Sequence, residues 1–223
     1  MTEVAKPSDR PELVSRLAGL MLPVTGWGNF RQGARAAAVT VLLYQLKGAW
    51  YVPFVARRAD LRDHPGQVAL PGGGVEPGED AWAAAARELR EEIGVPEADL
   101  VPIGAVRPIY TAVSNYSVVP FAAWLPNPEA FVHDPGELDG VLEIPLLELL
   151  AEDSWLEFDA DRTWMGSYFP WDGTMVWGLT ARILSDVLPL LRRSLLSPGS
   201  DGVQLRAELD TPPPQIDRIA TDQ

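Results

Sequence analysis

Residues 73–95 read GGVEPGEDAWAAAARELREEIGV, and the fold is decided here. The stretch from Glu79 to Ile93 is the clearest helix in the chain, beginning near Asp80. Gly94 and Pro96 stop it. Trp82, Ala86, Leu89 and Ile93 repeat at spacings of four and three, so they form one stripe that should face a core. Ala83 to Ala86 raise helix propensity and permit close packing. Glu88, Glu91 and Glu92 stand at i, i+3 and i+4, which brings three carboxylates onto a different face. Each like-charged pair on an exposed helix costs about 0.2–0.5 kcal/mol. A hard divalent cation reverses that sign, because Mg²⁺ takes oxygen ligands and keeps several waters. Pro71-Gly72-Gly73-Gly74, just upstream, forms a loop that can bring backbone close to a ligand.

Outward from the helix, the chain reads as alternating strands and packing helices. Pro11 to Leu22 has helical spacing. Ala36–Leu46 and Ala49–Ala56 are β-rich runs joined by Lys47-Gly48, a hairpin signal. Arg57 to Gly78 is a loop with one short strand, Gln67 to Leu70. Strands are expected at 100–106, 117–124, 140–144, 155–158 and 163–168. Short and long helices are expected at 146–150 and 176–193. The expected organisation is an N-terminal extension with a helix (1–34), a central domain (35–195) and a loose tail (196–223) containing Pro212-Pro213-Pro214.

The 223-residue chain carries a formal charge of −13 and no cysteine. Disulfides, thiolate zinc sites and cysteine nucleophiles are thereby excluded. The acidic surface opposes nucleic-acid binding. The N-terminus lacks a basic start and an apolar run, and no stretch reaches the roughly 18 apolar residues of a membrane span. A cytoplasmic protein without nucleic-acid or membrane partners is expected. Arg57, Arg58, Arg62 and His64 form a local cationic patch just before the glycine loop, suited to phosphate groups. His64 and His133 are the only histidines and read as solvated loop residues.

The stretch resembles the Nudix box, G-x₅-E-x₇-R-E-U-x-E-E-x-G-U with U a bulky aliphatic. Gly73, Glu79, Arg87, Glu88, Leu89, Glu91, Glu92, Gly94 and Val95 fill its fixed positions. The resemblance implies an α/β fold, a Nudix-type α/β/α sandwich with a mixed β-sheet and a loop-helix-loop catalytic motif. It implies Mg²⁺ or Mn²⁺ on Glu88, Glu91 and Glu92, joined by Gly72 through its backbone and supported by Glu79. Arg87 would orient those glutamates. The implied reaction is attack of an activated water on a diphosphate phosphorus. Glu91 or Glu92 is the first choice of general base and Glu137 the alternative.

Residues 54–73, FVARRADLRDHPGQVALPGG, further resemble the signature of coenzyme A pyrophosphatases, L-L-T-x-R-[SA]-x₃-R-x₃-G-x₃-F-P-G-G. Arg58-Ala59, Arg62, Gly66 and Pro71-Gly72-Gly73 match. One residue is missing between Ala59 and Arg62, Leu70 replaces Phe, and Phe54-Val55-Ala56 replaces Leu-Leu-Thr. Segments 108–125, 136–150 and 176–184 resemble the same subfamily. This implies coenzyme A or acyl-coenzyme A as substrate, with Arg58 and Arg62 on its phosphates and 3′,5′-ADP and (acyl-)4′-phosphopantetheine as products. A homodimer is the candidate assembly. The competing readings are a Nudix hydrolase of ADP-ribose, a dinucleotide or a nucleoside triphosphate, and a Nudix-like binding module without turnover. Trp177, Leu179, Ile183 and Leu184 read as core rather than as ligand contacts.

Overall fold

A computed structural model describes residues 10–27, 31–60, 65–159, 161–162 and 165–195. Arg62, His64, the first nine residues and the tail from 196 lie outside the described residues. Helix α1 spans Glu12–Ala18. Strands β1 (Arg35–Leu46) and β2 (Ala49–Arg57) follow, then β3 (Val68–Ala69), β4 (Gly72–Gly74) and helix α2 (Ala81–Ile93). Next come β5 (Val101–Ala105), β6 (Ile109–Thr111), β7 (Tyr116–Leu125), β8 (Leu138–Pro145) and helix α3 (Leu146–Leu150). The described chain closes with β9 (Leu156–Glu157), β10 (Ser167–Trp171), β11 (Thr174–Val176) and helix α4 (Gly178–Leu195).

The two long strands turn on Lys47 and Gly48, both at positive φ (52° and 85°), a conformation that matches the twist of a two-residue hairpin. β1 runs parallel to β7 over ten residue pairs and antiparallel to both β2 and β4, so the sheet is mixed. Successive side chains of a strand point to opposite faces. On β1, Val41 and Leu43 join one buried cluster while Leu42 and Tyr44 join another. On β2, Val52 and Phe54 go to the first cluster and Val55 to the second. The first cluster is covered by α1, α3 and α4, and the second by Ala86, Leu89 and Ile93 of α2. A sheet apolar on both faces requires helices on both, which gives the α/β/α sandwich.

Several boundaries differ from the sequence reading. α1 stops at Ala18 because Leu22 is drawn into a bridge with Ala105, each backbone N–H donating to the other's carbonyl at 2.9 and 2.8 Å. α4 starts only at Gly178 because Val176 is paired to both Phe169 and Val68. The strand read at 163–168 is found at Ser167–Trp171, and residues 163 and 164 lie outside the described residues. β4, β6 and β11, three residues each, were not foreseen. Of the core stripe on α2, Ala86, Leu89 and Ile93 are buried and Trp82 packs edge-on to Phe121.

Leu89 is completely buried between α2 and the sheet. Leu89→Ala should cost about 2–5 kcal/mol of unfolding free energy, read as a lower urea midpoint with unchanged slope. A loss under about 1 kcal/mol would contradict this packing.

Candidate active site

Helix α2 is set by its ends. The Asp80 carboxylate accepts the Ala83 backbone N–H at 2.8 Å as an N-cap, and Gly94 closes the helix at φ 75°. The helix is held against the glycine strand by one cation. Arg87 donates from Nε to Glu79 Oε1 (3.0 Å) and from Nη1 to Glu88 Oε1 (2.7 Å) and Glu91 Oε2 (3.0 Å). Its Nη2 donates to the Gly74 carbonyl (2.8 Å) and to Glu79 Oε2 (3.2 Å). The guanidinium thus joins four groups, and its pKa is pushed up first by its bonds to Glu79. Burial raises the Glu79 carboxyl, but Arg87 and the Glu76 N–H outweigh it and hold it below the usual range.

The third glutamate is bound differently. Glu92 is 8% exposed, and its Oε2 accepts the Gly72 backbone N–H at 2.9 Å. Burial pushes its carboxyl up to about 7; the Gly72 bond and Arg57 oppose the rise, while Glu88 and Glu137 add to it. Glu88 is raised as well, by burial first and by Glu91 and Glu137, against the pull of Arg87. Glu91 is half-exposed. Close approach of β4 to the helix on one side and to β1 on the other explains the two glycines. A Cβ on Gly73 would stand 2.3 Å from Glu88 Oε1, and one on Gly72 would stand 2.3 Å from the Ala38 carbonyl.

Glu88, Glu91 and Glu92 line a cavity of about 530 Å³ together with Asp134, Glu137 and Leu138. Five carboxylates on one cavity are an all-oxygen donor set, which fits a hard divalent cation. Among the described residues, no three carboxylates are drawn together into a ready metal cluster. Within the cavity the three glutamates are held separately: Arg87 holds Glu88 and Glu91, and Gly72 holds Glu92. Gly72 engages this group through its N–H. Glu79 stands beside Arg87 with both oxygens bonded and does not line the cavity.

Glu137 reaches the cavity on the loop before β8. Asp134 shapes that loop, its Oδ1 accepting the Gly136 N–H at 2.7 Å and its carbonyl the Leu138 N–H at 2.9 Å. Arg58 fastens the loop from β2. Its backbone N–H donates to the Glu137 carbonyl (3.1 Å) and its Nη1 to the Pro135 carbonyl (2.9 Å). Asp60 takes the rest of the guanidinium in a two-pronged pair at 2.8 and 2.7 Å. Here the exposed Arg58 guanidinium, expected to bind a phosphate, is paired with Asp60 and the Pro135 carbonyl. Its neighbour Arg57 acts on Glu92 electrostatically, and its Nε is buried without a hydrogen-bond partner. Arg62 and His64 lie outside the described residues. Asp134 was not foreseen; its only signal was a turn-forming Asp-Pro-Gly sequence.

The NUDIX domain model matches residues 34–164. The uncharacterised Nudix hydrolase NudL of Photorhabdus laumondii is 35% identical over 132 residues, covering 57% of this chain and 70% of the relative. NudL of Yersinia pestis is 35% identical over 135 residues, covering 58% and 67%. Similar solved structures include the Ap4A hydrolase of C. elegans in a binary complex, at 27% identity and TM-score 0.42 over 49% of this chain and 80% of that one. Another is the MutT protein of Methanosarcina mazei Go1, at 16% identity and TM-score 0.48 over 73% and 96%. No described helix is long and apolar enough to cross a membrane. The family match over more than half the chain, with a relative covered over two thirds of its length, places the chain in the NUDIX domain family, as a Nudix hydrolase.

Proposed function

We propose that this hydrolase cleaves the diphosphate of coenzyme A or acyl-coenzyme A, releasing 3′,5′-ADP and 4′-phosphopantetheine or its acylated form. The observation that carries the chemistry is the single cavity lined by Glu88, Glu91, Glu92, Asp134 and Glu137. The support for coenzyme A is the signature-like stretch 54–73 that leads into it. Glu88, Glu91 and Glu92 would hold Mg²⁺ or Mn²⁺, with Glu137 facing them across the cavity. When bound, the cation neutralises diphosphate charge and acidifies a water.

The chain's own groups supply the rest. Arg87 fixes the rotamers of Glu88 and Glu91 and keeps Glu79 and the Gly74 carbonyl in register with the helix. Glu91, half-exposed, is the carboxylate best placed to take a proton from an entering water. Arg57, whose charge acts on Glu92, would add positive potential to the site, alongside the phosphate-binding role proposed for Arg62. The loss of Arg58 to Asp60 and the shortened arginine spacing favour a second reading, in which the diphosphate belongs to ADP-ribose or a dinucleotide. Incubating the enzyme with a panel of these compounds and Mn²⁺, and identifying products by mass, separates the two. Release of 3′,5′-ADP from coenzyme A is the expected result, and its absence beside rapid ADP-ribose turnover would reverse the order.

Glu91→Gln should lower kcat by about 10²–10⁴-fold and weaken Mn²⁺ binding in the same calorimetric titration. Full activity in this variant would remove Glu91 from both roles. Arg58→Ala should free the Glu137 loop: kcat falls while KM for the diphosphate stays within about twofold, because the side chain contacts the loop rather than phosphate. A rise in KM alone would return Arg58 to the substrate.

Glu92 makes stability depend on pH in the metal-free protein. Its folded pKa of about 7 lies above the ordinary 4.5. A raised carboxyl favours folding while protonated, so its contribution is complete below about pH 4.5 and is lost as pH rises through about 7. In EDTA, Glu92→Gln should therefore be more stable than the wild type at pH 8, by up to about 3 kcal/mol, and no more stable at pH 4.5. Equal melting temperatures at pH 8 would show that the ionised carboxylate is already compensated.

A further inference from the structure

The loop between β7 and β8 carries Glu137 into the acidic cavity, and it is fastened at both ends. At its start, Phe131 meets Tyr44 edge-on with ring centres 5.3 Å apart, and the Val132 N–H donates to the Ile93 carbonyl at 3.1 Å. At its far end, Leu138 is 2% exposed, in the same apolar cluster as Leu89 and Ile93. Both anchors therefore refer the loop to α2, the helix that bears Glu88, Glu91 and Glu92.

Between the anchors the backbone is organised around one residue. Asp134 accepts three N–H groups: that of Gly136 on its Oδ1 at 2.7 Å, and those of Glu137 (3.2 Å) and Leu138 (2.9 Å) on its carbonyl. An aspartate that takes the N–H two residues on closes an Asx turn, and Pro135 pre-sets the backbone of the residue between. A Cβ on Gly136 would stand 3.1 Å from that same Oδ1, so the turn is tight. Glu137 is exposed, and packing does little to set its side chain. The backbone that Asp134 folds decides where the Glu137 carboxylate stands.

Asp134 also lines the cavity, so two parts are open to its carboxylate. One is a fifth donor to the cation, acting by charge. The other is a support for Glu137, acting as a hydrogen-bond acceptor. The Asp-Pro-Gly order and the tight fit of Gly136 are requirements of a turn, and a cation ligand needs neither. We propose that Asp134 is a positioning residue: its Asx turn places Glu137 opposite the box glutamates, and its acceptor oxygen counts rather than its negative charge. This rests on the acidic cavity being the metal and diphosphate site, as proposed above.

The experiment is a double-mutant cycle on the full chain, read as Mn²⁺ affinity by calorimetry and as kcat with coenzyme A, with ADP-ribose in parallel. Asp134→Ala should lower both affinity and kcat by about 10–100-fold, the usual cost of removing a group that orients a ligand, with KM nearly unchanged. Asp134→Asn keeps the acceptor and loses the charge. It should stay within about fivefold of the wild type, since the missing charge is exposed and screened. Glu137→Gln should lower both quantities, and adding Asp134→Ala to it should cost no more than about twofold further. In Asp134→Ala the amides of residues 136–138 should exchange faster while those of α2 keep their protection, which separates a loosened loop from an unfolded chain. An Asp134→Asn variant as impaired as Asp134→Ala would overturn the proposal, since charge would then be what counts. Additive losses in the double variant would overturn it too, because Asp134 would act without Glu137. So would a Glu137→Gln variant with wild-type affinity and kcat, which leaves nothing to position. Turnover of neither compound by the wild type would sink the substrate reading alone, and the Mn²⁺ arm would still decide this one.

Discussion

The arrangement depends on the bonds of one guanidinium. A helix that gathers carboxylates three and four residues apart on one face works against itself, because each negative charge raises the cost of the next. Arg87 offsets this by standing among Glu79, Glu88, Glu91 and the Gly74 carbonyl with five donated hydrogen bonds. Charge-assisted bonds of this type are directional as well as strong. They set the side-chain rotamers and they tie the helix to the strand before it. A lysine would supply the charge without the fork.

Glu92 lies beyond the reach of that arginine and shows what the others avoid. It is buried, bonded to one backbone N–H, and raised well above an ordinary carboxyl. The nearest positive influence is Arg57, whose Nε has no partner of its own. The cavity therefore contains more negative charge than its protein surroundings neutralise. That imbalance would attract a divalent cation, which in turn would offset the repulsion an anionic substrate meets there. It also reconciles a chain of net charge −13 with a phosphate-bearing ligand: local neutralisation matters at contact distance, where the global field is screened within about 8–10 Å.

How much of this was legible in the sequence follows from the range of each interaction. β1, β2 and α2 were readable because their signals are local: alternating apolar faces, a two-residue turn and a helix with a cap at each end. β4, β6 and β11 were not, since three-residue strands exist only through partners distant in sequence, as when Gly73 pairs with Ala38. The box glutamates were identified by spacing, and they do line one cavity. Arg58 shows the limit of a local reading. Its place before the glycine loop suggests phosphate, but Pro135, seventy-seven residues away, and Asp60 occupy its donors. Asp134 gave only a turn signal because its part is to shape a loop whose neighbours come from elsewhere.

The same reasoning separates two cavities of the molecule. The acidic one is assembled from a helix tied to the glycine strand and a loop tied to Arg58, each by polar bonds, so its shape is set by direction and charge. The other, about 700 Å³, is apolar, and Trp177 and Leu179, read from the sequence as core, line it. It is bounded by strand β6, the edge of β10 and the amphipathic α4, and its polar groups have turned to one another. Hydrogen-bonded groups hold position to a fraction of an ångström, while apolar walls adapt to the volume of what enters. A reacting diphosphate needs the first property, because a small misplacement of the attacking water costs rate.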